Sequence, residues 1–173
     1  MEQLTPSFSN RKHYNESMKS LSKKTTLLFL IDENKILLAM KKRGFGAGRW
    51  NGVGGKPENN ELIEQTAIRE CYEEIEVLPR NIRQVATLNF YFPRDKSDWN
   101  QQVLVYICKE WQGNPAETDE MKPAWYSMDS IPYESMWQDD KYWLPEVLKG
   151  NNVEAEFVFD ENDNVLSHEI NIR

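Results

Sequence analysis

Apolar residues in this chain come in short dense runs separated by polar stretches. The runs TTLLFLI (25–31) and KILLAMKKR (35–43) are rich in β-branched and large apolar residues and read as two strands joined by the turn DENK. The next stretch, RGFGAGRWNGVGGK (43–56), is the most glycine-rich part of the chain. Such density marks a loop whose backbone takes unusual dihedrals or closely approaches something else. In NNELIEQTAIRECYEEI (59–75) the period changes, with Ile63, Ala67, Cys71 and Ile75 recurring every four residues. That is the drifting apolar stripe of a helix, while Gln65, Arg69 and Tyr72 point elsewhere, and an Asn just ahead of the first turn is placed to cap it. QVATLNFYF (84–92) and QVLVYICKEW (102–111) read as a strand pair joined by the polar loop PRDKSDWNQ, and KPAWYSM (122–128) as a further strand. The segment DSIPYESMWQDDKYWLPEVLKG (129–150) mixes turns with a short helix in which Pro145 fits best in the first turn. AEFVFDENDNVLSHEINI (155–172) closes as a hairpin. The pattern predicts an α+β or α/β protein, a mixed sheet sandwiched between helices, with no repeat and no second domain.

At 173 residues the chain suits a single domain with a substantial core, and 39% hydrophobic with 28% charged residues is ordinary globular composition. No apolar run approaches the roughly 20 residues that span a membrane. The opening MEQLTPSFSNRKHYNESMKSLSKK is polar throughout and lacks the apolar centre of a secretory signal. Its basic and hydroxyl residues suit a transit peptide, but Glu2 and Glu16 argue against one. It reads as a flexible tail over 1–22, ahead of a domain over 23–173. Cys71 and Cys108 fall in the helix and in an apolar strand, as buried free thiols would, which points to a reducing cytoplasm. A net charge of −7 argues against stable nucleic-acid binding, which rests on cationic contacts with phosphates. An acidic protein can still take an anionic small molecule when a divalent metal lies between them. A monomer is expected.

The chemistry starts at RECYEE. On a helix Glu70, Glu73 and Glu74 stand at i, i+3 and i+4, and each like-charge pair at such spacing costs about 0.2–0.5 kcal/mol. Glu70 and Glu74 border the apolar stripe and Glu73 lies a little further round, so these carboxylates raise one another's pKa unless a cation compensates. Clustered carboxylate oxygens are what Mg²⁺ or Mn²⁺ prefers. A solvated acidic face is the common fate of such a run on an arbitrary helix. The wider context decides otherwise. Gly55 is followed by Glu61, by the pair Arg69-Glu70, by the pair Glu73-Glu74 and by Val77. This spacing resembles the box of the Nudix family. The resemblance implies the Nudix fold and a loop–helix–loop that binds divalent metal, Mg²⁺ or Mn²⁺, and hydrolyses a diphosphate joined to another moiety. By position, Glu70, Glu73 and Glu74 become metal ligands, one of them helping to activate water, and Arg69 orients carboxylates through a charge-assisted bond. Carbonyls around Gly54 and Gly55 complete the shell.

The chain departs from the box at Cys71, where an aliphatic residue is usual, and at Glu76, where Gly is usual. A left-handed Glu76 costs about 1–2 kcal/mol, so either the helix runs one residue further or the loop carries strain.

The box leaves the substrate open. MKKRGFGAGRWNGVGGK and DEMKPAWYSMDSIPYESMWQDDKYW resemble the mammalian-type 8-oxo-dGTP diphosphatases of the same family, and the likeness runs from about Thr25 to the C-terminus. A selective purine pocket wants an aromatic wall and a few aimed polar groups. Trp137 can supply the wall, with Phe45, Phe90 and Phe92 completing an apolar slot. Asn51 offers a donor and an acceptor on one amide. Asp139 and Asp140, if both turn into a dry pocket, share one proton and present a donor beside an acceptor. Against this, Asp139-Asp140 could simply cap the following helix and Trp137 could simply pack in the core. The resemblance further implies that Thr26 and Lys41 lie beside the nucleotide and that Glu120 approaches the metal site from another segment. The loop PRDKSDWNQQ is about two residues longer than its family equivalent, and Gln101 replaces an apolar pocket residue. Preference among 8-oxo-dGTP, 2-hydroxy-dATP and O6-methyl-dGTP is therefore open. A dinucleoside polyphosphate, nucleotide sugar or capped RNA as substrate, and a catalytically inactive nucleotide-binding protein, are the competing readings.

Overall fold

The computed structural model describes residues 21 and 23–173, so the tail expected over 1–22 lies, Leu21 apart, outside the described residues. In chain order the elements are β1 (Lys24–Asp32), β2 (Lys35–Lys41), β3 (Trp50–Asn51), α1 (Ile63–Ile75), β4 (Leu78–Arg80), β5 (Arg83–Tyr91) and β6 (Gln101–Cys108). They continue with β7 (Glu110–Gln112), β8 (Met121–Ser127), α2 (Asp140–Leu148), β9 (Val153–Phe159) and β10 (Val165–Ile172). The main sheet runs β10-β9-β5-β6-β1-β2-β3, with β8 also on β2. β1 lies parallel to β6 and β9 parallel to β5, while the other pairs are antiparallel, so the sheet is mixed.

β1 explains why TTLLFLI is apolar without interruption. Leu28 and Leu30 join Ala67, Cys71 and Ile75 of α1 in one core. Phe29 and Ile31 face the other way, into a second core with Trp143, Leu144 and Val147 of α2. A strand covered on both faces cannot alternate with polar residues. The β1–β2 link is tight because Glu33 takes a left-handed φ of 51°, as a two-residue hairpin turn demands.

Several details differ from the sequence expectation. QVLVYICKEW does not run straight through: it breaks at Lys109, and the residues beyond form β7, paired with β4 in a separate two-stranded ribbon. β4 is three residues long and contains Pro79, too short for a periodic signal. The α1 N-cap is Leu62 rather than an Asn, and its N–H is taken by Gln65 Oε1 at 3.1 Å. Asn59 and Asn60 instead supply positive φ values for the preceding turn. Glu76 settles the helix end: α1 stops at Ile75 and Glu76 sits at φ 61°, ψ 26°, so the strain is in the loop. Pro145 lies inside α2, beyond its first turn. Burial of Trp143, Leu144 and Val147 holds the helix, and Lys141, whose carbonyl loses the usual i+4 donor, is exposed. Both cysteines are buried and free. Among the described residues no helix is long and apolar enough to cross a membrane.

Candidate active site

The glycine loop and α1 meet at Gly54 and Gly55. The helix leans its acidic edge on the loop, and glycine is needed at Gly54 because a Cβ there would strike the Thr26 carbonyl, while Gly55 lies directly against the end of the Glu70 side chain. Gly54 donates its N–H to Glu74 Oε2 at 2.9 Å, while Gly55 O accepts from the Thr26 N–H at 2.9 Å. Both glycines are thus pinned between β1 and the helix.

Arg69 organises the acids. Its Nε and Nη2 donate to the two oxygens of Glu61 at 2.9 and 3.1 Å. Its Nη1 donates to Glu70 and Glu73, each at 2.9 Å, and Nη2 also to the Lys56 carbonyl at 3.0 Å. The guanidinium holds the Glu61 carboxyl down to about 2. Glu74 has no such partner. It is buried, and burial pushes it up to about 8, with the charges of Glu70 and Glu120 adding to the rise against the Gly54 N–H. Burial also raises Glu70, with Arg69 opposing. Glu73 points to the exposed side of the helix, and Glu120, exposed, accepts from Arg43 at 3.2 Å.

These residues fit a hard divalent cation by donor type and by charge. A buried carboxylate that burial and two neighbouring acids all push toward protonation is one that a cation would relieve. In the arrangement present, Glu70 and Glu73 rest on Arg69 and Glu120 on Arg43, and among the described residues no three acidic, His or Cys side chains converge on one point. Arg69 and Arg43 take only one oxygen of each carboxylate, Oε1 of Glu70, Oε2 of Glu73 and Oε1 of Glu120, which leaves the other oxygen of each for an ion while the arginines hold the side chains in place.

Beside this edge opens a cleft of about 290 Å³. Thr26, Lys41, Phe45, Asn51, Gly54, Gly55, Phe90, Phe92, Gln101, Trp137, Asp139 and Asp140 all line it, brought together from the glycine loop, the strands β1, β2, β3, β5 and β6, and the start of α2. Trp137 is half-buried rather than a core residue, with Phe45 at 5.0 Å between ring centroids. Asn51 Oδ1 accepts from the Gly52 N–H at 2.8 Å and Gln101 Oε1 from the Thr25 hydroxyl at 3.1 Å. Among the described residues the NH₂ groups of both amides have no partner.

The two aspartates do not cap α2. Asp139 occupies the N-cap position with helical dihedrals and makes no cap hydrogen bond. Its Oδ2 instead accepts from Trp143 Nε1 at 3.0 Å, and Asp140 Oδ2 from the Trp137 N–H at 3.1 Å. Both are buried, which raises both; the charge of Asp139 lifts Asp140 further. Two acids raised together in this way favour a state in which one of them keeps its proton.

The NUDIX domain family matches residues 22–147. The chain belongs to the Nudix family. It is 38% identical over 149 residues to the oxidized purine nucleoside triphosphate hydrolase of Danio rerio, covering 86% of this chain and 94% of the relative. To the enzyme of the same name from Mus musculus it is 38% identical over 151 residues, covering 87% and 96%. The fold is also similar to the crystal structure of a MutT protein from Bacillus halodurans, with a TM-score of 0.75 at 22% identity, covering 86% and 97%. It is thus a Nudix hydrolase with the Nudix fold, in a family whose enzymes generally need a divalent metal.

The Nudix site also draws on residues that sequence reasoning passed over. Arg49 lies with its guanidinium carbon 3.9 Å from the Trp137 ring centroid and its charge opposes the rise of Asp139. Thr25 anchors Gln101, and Trp143 holds Asp139 from the core. Glu61 belongs to the Gly55–Glu74 spacing, yet only the structure reveals it as the main anchor of Arg69. Arg49 carried a signal in GRWNG, a cation two residues from a proposed base reader. For Thr25 there was none.

Proposed function

We propose that this protein hydrolyses oxidised purine nucleoside triphosphates to the nucleoside monophosphate and pyrophosphate, cleansing the cytoplasmic nucleotide pool, with Mg²⁺ as metal and Mn²⁺ as a substitute. The observation that carries the proposal is the continuity of two features: an aromatic-walled cleft with a buried aspartate pair, and an acidic helix edge that meets it at Gly54 and Gly55. The first suits one flat base with polar edges, the second a polyphosphate. The names of the vertebrate relatives point the same way.

Each residue then has a task. Trp137, Phe45, Phe90 and Phe92 offer ring faces and edges to the purine. Asn51 and Gln101, their oxygens already occupied, aim NH₂ donors at acceptors on the base, which suits purines carrying exocyclic oxygens. Asp139 and Asp140 present a protonated and an ionised carboxyl, and moving that proton accommodates either oxidised guanine or oxidised adenine. Lys41 and Thr26 flank the base-to-phosphate path. Glu70, Glu73, Glu74 and Glu120 hold the metal, carbonyls of Gly54 and Gly55 complete its shell as the family resemblance implies, and Arg69 positions the carboxylates. When bound, the metal neutralises phosphate oxygens and lowers the pKa of the attacking water. A dinucleoside polyphosphate or nucleotide sugar is the second reading, and a cleft of about 290 Å³, sized for one base, speaks against it.

The test is pyrophosphate release from a panel of oxidised, O6-methylated and normal nucleoside triphosphates with Mg²⁺. Oxidised purines should turn over fastest, chelation should abolish turnover, and Asp139→Ala should change the ranking of substrates by about tenfold, one hydrogen bond's worth. A panel in which normal nucleotides or nucleotide sugars lead would overturn the proposal.

A further inference from the structure

In the loop between β5 and β6, Trp99 does not line the cleft, yet it backs two rings that do. Trp99, near the end of this loop, lies 4.7 Å from Phe45 and 5.7 Å from Phe92, centroid to centroid. Phe92 has other support, since it is buried and stacked on Phe159 at 4.8 Å with 8° between planes. Phe45 has little. It is 45% exposed, on a loop where Gly44, Gly46 and Gly48 all take left-handed φ, and its aromatic neighbours are Trp99 and Trp137. Glycine at those positions lets the backbone take its path but does nothing to restrain the ring.

The loop is moored in turn. Lys96 Nζ donates to the Glu161 carbonyl at 2.8 Å and pairs with Asp163 at 3.1 Å, both in the β9–β10 turn, and it lies 5.2 Å over the Trp99 ring. The same turn is tied to the segment that carries Trp137, whose ring touches Phe45. Gln138, between Trp137 and Asp139, donates to Asn164 Oδ1 at 2.7 Å and accepts from the Val165 N–H at 3.0 Å. Asp160 stiffens the turn by accepting the N–H groups of Asn162 and Asn164 at 2.8 and 2.9 Å.

We infer that Trp99 is a positioning residue for base recognition. It holds Phe45 in the cleft wall beside Trp137, while the β9–β10 turn, through Lys96 and Gln138, braces the segments behind both rings. Ordering Phe45 before the base arrives removes an entropy cost that each binding event would otherwise carry. The inference rests on the proposal that a purine occupies the cleft.

The test is steady-state kinetics of the full chain on 8-oxo-dGTP with Mg²⁺. Trp99→Ala should raise KM about tenfold, or about 1.4 kcal/mol, with kcat within about twofold. Trp99→Phe should return KM to within about threefold of wild type, since an aromatic ring remains. Lys96→Ala should be intermediate, and the double variant Trp99→Ala with Lys96→Ala no worse than Trp99→Ala alone, because Lys96 acts through Trp99. Calorimetric titration with 8-oxo-dGMP should reproduce the loss without turnover. An unchanged KM in Trp99→Ala, a fall in kcat at constant KM, or a Trp99→Phe as poor as Trp99→Ala would each overturn the inference. Wild-type protein that neither cleaves 8-oxo-dGTP nor binds 8-oxo-dGMP would instead refute the proposed function.

Discussion

Glu74 is asked to be buried, acidic and unpaired, and the cost of that should be measurable. Its pKa rises from the ordinary 4.5 to about 8 in the fold, chiefly through burial. Between those values the folded state keeps a proton that the unfolded chain releases, so stability is greatest below about pH 4.5 and falls as pH rises toward 8. Each pH unit in that window costs about 1.4 kcal/mol, or about 3 kcal/mol between about pH 5 and 7.5. Glu74→Gln removes the titration while its amide oxygen can still accept the Gly54 N–H. With metal chelated at about pH 7.5, Glu74→Gln should therefore be more stable than wild type by about 3 kcal/mol, raising Tm by about 6–12 °C. Urea denaturation of both proteins across this range, with chelator, reads the difference directly. Asp139 and Asp140 titrate in both proteins, so comparing the two isolates Glu74. Adding Mg²⁺ should stabilise wild type at about pH 7.5 and do little for Glu74→Gln, whose turnover should fall by about 10²-fold or more. The reasoning fails if wild-type stability is flat over this window, or if Glu74→Gln keeps the wild-type pH slope.

Two further outcomes follow from the same region. Glu76→Gly should relieve the left-handed helix end, adding about 1 kcal/mol and about 2–4 °C to Tm in thermal melts. Arg69→Gln should release Glu61, Glu70 and Glu73 from their common anchor and weaken Mn²⁺ affinity about 10–100-fold in a metal titration, as loss of a ligand-orienting partner does elsewhere.

What could be read from the sequence was local. Glu61, Arg69, Glu70, Glu73 and Glu74 lie on one loop and one helix, so the period of 3.6 alone dictates that Glu70 and Glu74 approach the core while Glu73 turns outward. The same locality made the β1–β2 hairpin, α1 and the closing hairpin legible, and it left two explicit outcomes for Glu76, between which only the observed dihedrals chose. Resemblance, rather than pattern, named the cleft residues, and nothing in the pattern of Phe45, Asn51, Phe90, Gln101 and Trp137 says that they face one space.

Tertiary structure decided that. Thr25 meets Gln101 because β1 lies beside β6 in one register, and a slip of one strand by a single residue would turn its side chain to the other face of the sheet. Asp139 became a buried acid rather than a cap because Trp143, fixed in the core beneath α2, draws its carboxylate inward. β4 and β7 exist only because they find each other, and Trp99 matters only because a distant turn holds its loop against Phe45. Helical spacing is set by neighbours a few residues away, so the chain itself determined the acidic edge. Long-range pairing and burial depend on the whole packed core, so only the fold could determine the cleft beside it.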